Sequence, residues 1–299
     1  MNLSTSNGLV TPQAGHSVPP PDLAFKAYEI EELVDVYFFR RLGFLVARLA
    51  AALRLTPAHV TVFGALVGIA GGALLYDQRL GLYAFALLIL HGIIDSADGQ
   101  LARMTGQVTE LGRVLDGVAG YLTHASIYVA IATGVMQGGG SGAILLWMVL
   151  AGIANAIQAQ MYEYHRDNYA TIAVKGAAPR DPTQITKGLL KSLYAGYLAT
   201  ARMLNGLHTE VESRVAARST EGVVREDDRA RYRKCFYWPM RGWNLLGDNM
   251  RRYAIGILVC LDRLDLFFVF VLLPMNVVLI ALLFWQRSAD RKFLDGVTS

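Results

Sequence analysis

The chain has 299 residues, of which 54% are hydrophobic and only 17% charged. That balance fits an integral membrane protein better than a soluble one. A net charge of +4 in such a chain reads as basic loops meeting anionic headgroups, not as nucleic-acid binding.

Residues 1–22 are rich in Ser, Thr, Gly and Pro and end near Pro19-Pro20-Pro21, the composition of a disordered tail. They lack a basic stretch followed by an apolar core and cleavage site, so no signal peptide is expected. Residues 23–54 mix Leu33, Val36, Tyr37, Phe44, Leu45 and Leu49 with Glu31, Glu32, Asp35, Arg40, Arg41 and Arg48. This pattern is too charged to span a bilayer and predicts an amphipathic helix along the membrane surface.

Thr56-Pro57 opens the first predicted span, 58–76, with proline in its first turn. Gly64, Gly68 and Gly72 recur every four residues and allow another helix to approach closely. Asp77-Gln78-Arg79 is a turn, and 80–103 is the second span, with His91 one turn before Asp95. The third span covers 109–136, and the fourth 143–163. In the fourth, Asn155 and Gln158 share a face, where they either line an acceptor pocket or bond between helices.

Residues 164–240 break the pattern as a charged insertion, unusually long for a helix connection. Within it 183–217 reads as helix, with Leu190, Tyr194, Tyr197, Ala201, Leu204, His208, Val211 and Val215 forming a narrow apolar seam. Residues 243–261 are the fifth span, whose first turns carry Asp248, Asn249, Arg251 and Arg252 and should lie near the site. Residues 266–286 are the sixth, kinked at Pro274. Cys235 and Cys260 read as free thiols, and no repeat of 20–50 residues is present. Lys and Arg gather before span one, between two and three, between four and five, and after six. The positive-inside bias therefore places both termini and the Asp95–Gly120 stretch in the cytoplasm.

The chemistry concentrates in that stretch: D-S-A-D-G-Q-L-A-R-M-T-G-Q-V-T-E-L-G-R-V-L-D-G-V-A-G. Carboxylates against hydrocarbon cost several kcal/mol or more, so Asp95, Asp98 and Asp116 are expected to face a polar cavity with a counter-charge. Asp95 and Asp98 share a helix face, extended by Gly99 and Ala102 and closed by Arg103; Gly112 and Asp116 share a face of the next helix. Two such faces build an all-oxygen pocket suited to Mg²⁺ or Mn²⁺.

These residues resemble the signature of the CDP-alcohol phosphatidyltransferase family, D-x2-D-G-x2-A-R-x8-G-x3-D-x3-D. Asp95, Asp98, Gly99, Ala102, Arg103, Gly112 and Asp116 match, and Gly120 stands where the family has its fourth Asp, a metal ligand and the proposed base. The T-P-N-x-x-T usual ahead of it reads Thr56, Pro57, Ala58, His59, Val60, Thr61 here, without the Asn.

The resemblance implies an all-α polytopic membrane enzyme with six transmembrane helices behind an N-terminal juxtamembrane helix. Its domains would be the tail (1–22), the surface helix (23–54), spans one to four with the site (55–163), the cytosolic insertion (164–240), and spans five and six with a C-terminal tail (241–299). It implies transfer of a substituted phosphate from a CDP-alcohol, CDP-diacylglycerol foremost, to an acceptor alcohol in phospholipid biosynthesis, with CMP released. Asp95, Asp98 and Asp116 would be metal ligands. Nucleotide contacts would come from Asp95, Asp98, Gly99, Ala102, Arg103 and Gly112. Acceptor contacts fall to Asn155, Gln158, Arg251 and Arg252. A Gly offers no proton acceptor; His124, one turn beyond Gly120, is one candidate base, Asp116 or Asp95 could also serve, and a metal-activated acceptor would need little help from a base. The resemblance also suggests a homodimer. The competing readings are a weak or inactive relative that binds nucleotide lipid or a partner enzyme, and a transporter with carboxylates along an ion path.

Overall fold

The computed structural model describes residues 28–179 and 206–296. The tail 1–22 and the start of the surface helix lie outside these, as do Leu190, Tyr194, Tyr197, Ala201 and Leu204 of the insertion seam. Among the described residues the chain is helical, with no strands beyond isolated bridges such as Ala177 to Val223.

A π-helical turn, Asp35–Phe39, runs into helix α1, Arg40–Ala52. Its buried face carries Gly43, Ala47 and Ala50, while Leu45 and Leu49 stay exposed on the other side. Just beyond the helix, Arg54 takes a positive φ of 55°.

Helix α2, Pro57–Leu74, is opened by a reciprocal cap: Thr56 Oγ1 accepts from the His59 amide, and His59 Nδ1 accepts from the Thr56 amide at 3.3 Å. His59 thus does at N3 what a Glu or Gln usually does. α3 is Gly81–Thr105 and ends on Gly106, whose left-handed φ of 68° only glycine adopts cheaply. α4 is Glu110–Gln137, capped by Thr109 Oγ1 on the Gly112 amide at 3.0 Å.

The glycine face of α2 is where α3 and α4 close in. A Cβ at Gly64 would lie 3.0 Å from Ile94, one at Gly68 would lie 2.6 Å from Thr123 Oγ1, and one at Gly72 would lie 2.0 Å from Ser126 Oγ. Small residues let the backbones meet, and the three helices form the unit that holds the acidic stretch.

α5, Ile144–Tyr169, continues into a π-helical turn to Val174, past the expected end of the fourth span. The described part of the insertion folds back on it. Helix α6 (206–218) buries His208, Val211 and Val215, the described members of the seam. Its Glu212 bonds Tyr164 and Asn168 of α5. α7, Glu226–Trp243, buries Tyr232, Phe236, Met240 and Trp243 at three- and four-residue intervals. His208 links these elements to the last helix, with Nδ1 2.7 Å from Asp290 and Nε2 3.1 Å from the Tyr232 hydroxyl.

The fifth expected span is observed as a shorter element. Gly247 is extended, at ψ 169°, and separates α7 from helix α8, Asp248–Cys260. Thirteen residues rise only about 20 Å, less than a hydrocarbon core of about 30 Å. Pro274 then splits the last segment into α9, Phe267–Leu272, and α10, Pro274–Asp295. Among the described residues five helical segments are long and apolar enough to cross a membrane: 57–74, 78–105, 110–137, 144–174 and 264–295.

Candidate active site

The site is built where α2, α3, α4 and α8 converge. Asp95 and Asp98 lie one turn apart on α3, and Asp116 faces them from the second turn of α4. One oxygen from each carboxylate lies within 4.8 Å of the other two. Three like charges this close repel unless a cation or protons sit among them, so the cluster fits a divalent metal by its own electrostatics. Oxygen donors of this kind are those that Mg²⁺ and Mn²⁺ take.

Asp98 is buried, 7% exposed, whereas Asp95 and Asp116 open outward. Thr61 of α2 orients the buried one, its hydroxyl lying 2.7 Å from Asp98 Oδ2 and 3.0 Å from the Pro57 carbonyl. A hydroxyl has one proton, and the shorter, charge-assisted contact takes it. The Thr56–Thr61 segment carries this residue at a position that its sequence gave no role. Around the acids the surface is kept low. A Cβ at Gly99 would approach only the Arg103 guanidinium, at 3.4 Å, and one at Gly112 only Thr109 Oγ1, at 3.1 Å. Backbone is therefore accessible beside the carboxylates, with Arg103 at the rim.

Asp95 also borders a cavity of about 60 Å³ that runs from the acids toward α8. Gly120 forms part of its wall, and a Cβ there would meet nothing within 4 Å. The position of the missing acid is open space. His124 lies one turn further along α4, its Nδ1 2.9 Å from the Gly120 carbonyl and its Nε2 3.5 Å from Asp248 Oδ1. His91 lines the same cavity but is tied by Nδ1 to the Gly64 carbonyl at 2.9 Å.

Of the four residues expected to contact an acceptor, Arg251 and Arg252 line this cavity and Asn155 and Gln158 do not. Gln158 is fully buried. Its amide nitrogen donates to the Val271 carbonyl and to Asn276, and its oxygen accepts from Arg251 Nη2 at 2.9 Å. Arg251 Nη1 donates to the Leu246 and Gly247 carbonyls, which leaves Nε without a partner. Thr123 Oγ1 and Tyr128 Oη, both on the cavity wall, are also buried without partners. Buried polar atoms are rarely left so, and three around one space mark it as a place for a polar ligand.

Behind Arg252 stands a second layer from the turn that leads into α1. Arg252 Nη1 donates to Asn249 Oδ1 at 2.8 Å, Asn249 Nδ2 donates to Asp35 Oδ1 at 3.0 Å, and the guanidinium lies over the Phe39 ring. Glu32 is packed beside this chain of contacts. Burial, reinforced by the neighbouring Asp35 charge, pushes its carboxyl up to about 7. Burial raises Asp35 too, against the Asn249 hydrogen bond that lowers it.

Residues 54–207 match the family profile described as CDP-alcohol phosphatidyltransferase. Over 89 residues the chain is 34% identical to archaetidylinositol phosphate synthase of Pyrococcus horikoshii, covering 30% of this chain and 47% of that protein. Over 92 residues it is 36% identical to an uncharacterized protein of Aquifex aeolicus, covering 30% of this chain and 46% of that one. The chain thus spans about half the length of the curated relatives it matches.

Proposed function

The chain belongs to the CDP-alcohol phosphatidyltransferase family, and from that premise we propose that it moves a substituted phosphate from a CDP-alcohol to an acceptor alcohol, releasing CMP, in phospholipid biosynthesis. The observation that carries this reading is the convergence of Asp95, Asp98 and Asp116, whose oxygens come within 4.8 Å of one another at the family's own spacing. CDP-diacylglycerol is the proposed donor.

In this reading the three aspartates hold Mg²⁺ or Mn²⁺. The bound cation would supply positive charge against the donor's pyrophosphate and the charge that builds up during in-line displacement. The chain's own residues do the rest. Thr61 holds the Asp98 carboxylate in place from α2. Gly99, Ala102 and Gly112 leave backbone open to the nucleotide, and Arg103 meets its phosphates. The acceptor enters the cavity beside Gly120, where Arg251 and Arg252 supply positive charge and Thr123 and Tyr128 supply unspent hydroxyls. Gln158 acts on the acceptor through Arg251. His124 takes the proton of the attacking hydroxyl. The distribution of Lys and Arg supports a cytoplasmic site with both termini on that side.

The test is purified protein in lipid nanodiscs with radiolabelled CDP-diacylglycerol, Mn²⁺ and a panel of acceptors including glycerol, inositol and their phosphates. CMP release with at least one acceptor is expected. No release with any acceptor, from protein that binds Mn²⁺ and the donor, contradicts the proposal and favours a binding role without turnover.

A further inference from the structure

We infer that Asp248, carried in by α8 from outside the acidic motif, takes over through His124 the proton-accepting role left without a side chain at Gly120. The inference rests on the transferase reading above and deepens it by naming how the missing base is replaced.

The geometry begins at Gly120 itself. Its carbonyl can only accept, so the contact of 2.9 Å with His124 Nδ1 places a proton on that nitrogen. Nε2 is then the atom left to exchange a proton, and His124 lines the cavity. Across from it, at 3.5 Å, stands Asp248 Oδ1, with Arg251 Nη1 3.8 Å from the same oxygen. A separation of 3.5 Å is beyond a direct hydrogen bond, so the carboxylate does not tie up Nε2. Asp248 is half exposed and His124 is 29% exposed, so neither group is sealed inside the protein.

Its surroundings assign the duty further. Asp95 and His91 face the cavity from α3, and Arg252 faces it from α8. Asp95 is committed to the aspartate triad, and His91 is held by the Gly64 carbonyl. Asp248 is not a member of the triad. Two jobs that the family resemblance gives to one residue are therefore separated here: the metal keeps three acids, and proton transfer moves to a pair on two different helices. The unpartnered Thr123 and Tyr128 hydroxyls flank His124 on the same helix face and mark where a polar acceptor would satisfy them.

The acceptor oxygen forms a bond to the phosphorus that bears the lipid. The bond from that phosphorus to the CMP oxygen breaks, and its electron pair leaves on CMP. The hydroxyl proton passes to His124 Nε2, where the Asp248 carboxylate stabilises the imidazolium, and then to water. His124 is the catalytic residue, and Asp248 is a positioning residue that acts through it.

The experiment measures turnover in nanodiscs with CDP-diacylglycerol, using the best acceptor from the panel above. Asp248→Asn and His124→Ala should each lower kcat about 100-fold or more, with KM for donor and acceptor changed less than about threefold. Mn²⁺ affinity, read by electron paramagnetic resonance, should not change in either. Asp248→Glu should recover most of the loss. Added imidazole should raise the rate of His124→Ala but not of Asp248→Asn. Placing the family's acid back, as Gly120→Asp, should restore turnover to the His124→Ala background. Variants are compared only where size-exclusion and melting profiles match the parent, and Asp248→Ser, with the same expected loss of kcat, carries the comparison if Asp248→Asn does not fold. An active parent whose Asp248→Asn variant keeps its kcat, or loses only Mn²⁺ affinity, overturns this inference alone. A parent that binds donor and metal yet releases no CMP overturns it together with the transferase reading.

Discussion

Replacing Thr61 by valine removes one hydroxyl at nearly constant volume and leaves all three aspartates in place. The Thr61 hydroxyl lies 2.7 Å from Asp98 Oδ2, and Asp98 is only 7% exposed, so water cannot freely take its place. A hydrogen bond to a charged group contributes roughly 1.5–3 kcal/mol. At about 1.4 kcal/mol per tenfold, losing it should weaken metal binding by about 10- to 100-fold, the range usual for groups that orient a metal ligand from behind. The assay is a Mn²⁺ titration of purified protein in detergent, followed by electron paramagnetic resonance. Thr61→Ser, which keeps the hydroxyl, should bind within about threefold of the parent on the same argument, and Asp98→Asn should bind far more weakly than either. Parent-like affinity in Thr61→Val would refute the idea that α2 sets the carboxylate, and would make the 2.7 Å contact incidental to the ion.

Gly72→Ala should destabilise the protein by about 1–3 kcal/mol, seen as a lower melting temperature, because its Cβ would fall 2.0 Å from Ser126 Oγ and 2.9 Å from the Ile127 nitrogen. Gly120→Ala, which meets nothing within 4 Å, should melt at or above the parent temperature through better helix propensity; a shared drop would mean that the α2 packing is not the cause. Glu32 gives a pH dependence. Its carboxyl is raised from the ordinary 4.5 to about 7, so the folded state binds a proton that the unfolded state releases between those values. Stability therefore falls as pH rises through that window, by about 3 kcal/mol at most. Glu32→Gln should accordingly melt higher than the parent at pH 8 and close to it below pH 4.5; an equal gap at both would contradict the assignment. Arg251→Gln should raise KM for a phosphorylated acceptor by about tenfold or more, with a smaller effect on an uncharged one, in the CMP-release assay.

What the sequence disclosed about this site follows from helical periodicity. Asp95, Asp98 and Asp116 are legible because steps of three and four, on two neighbouring helices, dictate which atoms share a face. The α2 glycines are legible for the same reason, and Gly68 and Gly72 do meet side chains of α4. The buried face of α7, Tyr232, Phe236, Met240 and Trp243, follows the same steps of three and four.

Contacts between distant segments are another matter. That Gln158 spends its oxygen on Arg251 depends on where α8 docks, and no interval within α5 encodes it. Asp248 stood out as one polar residue near the site, yet its position opposite His124 comes from packing between α4 and α8. The 13-residue length of α8 was hidden because 243–261 averages as apolar, while the break is a single extended backbone at Gly247. Thr61 was in view as part of the Thr56–Thr61 segment, but only tertiary packing aims its hydroxyl at Asp98.

The claim beneath all of this is that the α3 and α4 aspartates hold a cation on which transfer depends. Its most direct test is the rate of CMP release from CDP-diacylglycerol as Mn²⁺ is added to metal-stripped protein, for the parent and for Asp98→Asn. The account predicts no release without the ion, saturable recovery in the parent, and little or none in Asp98→Asn. Release that proceeds unchanged in excess chelator, or equally in both proteins, would contradict it.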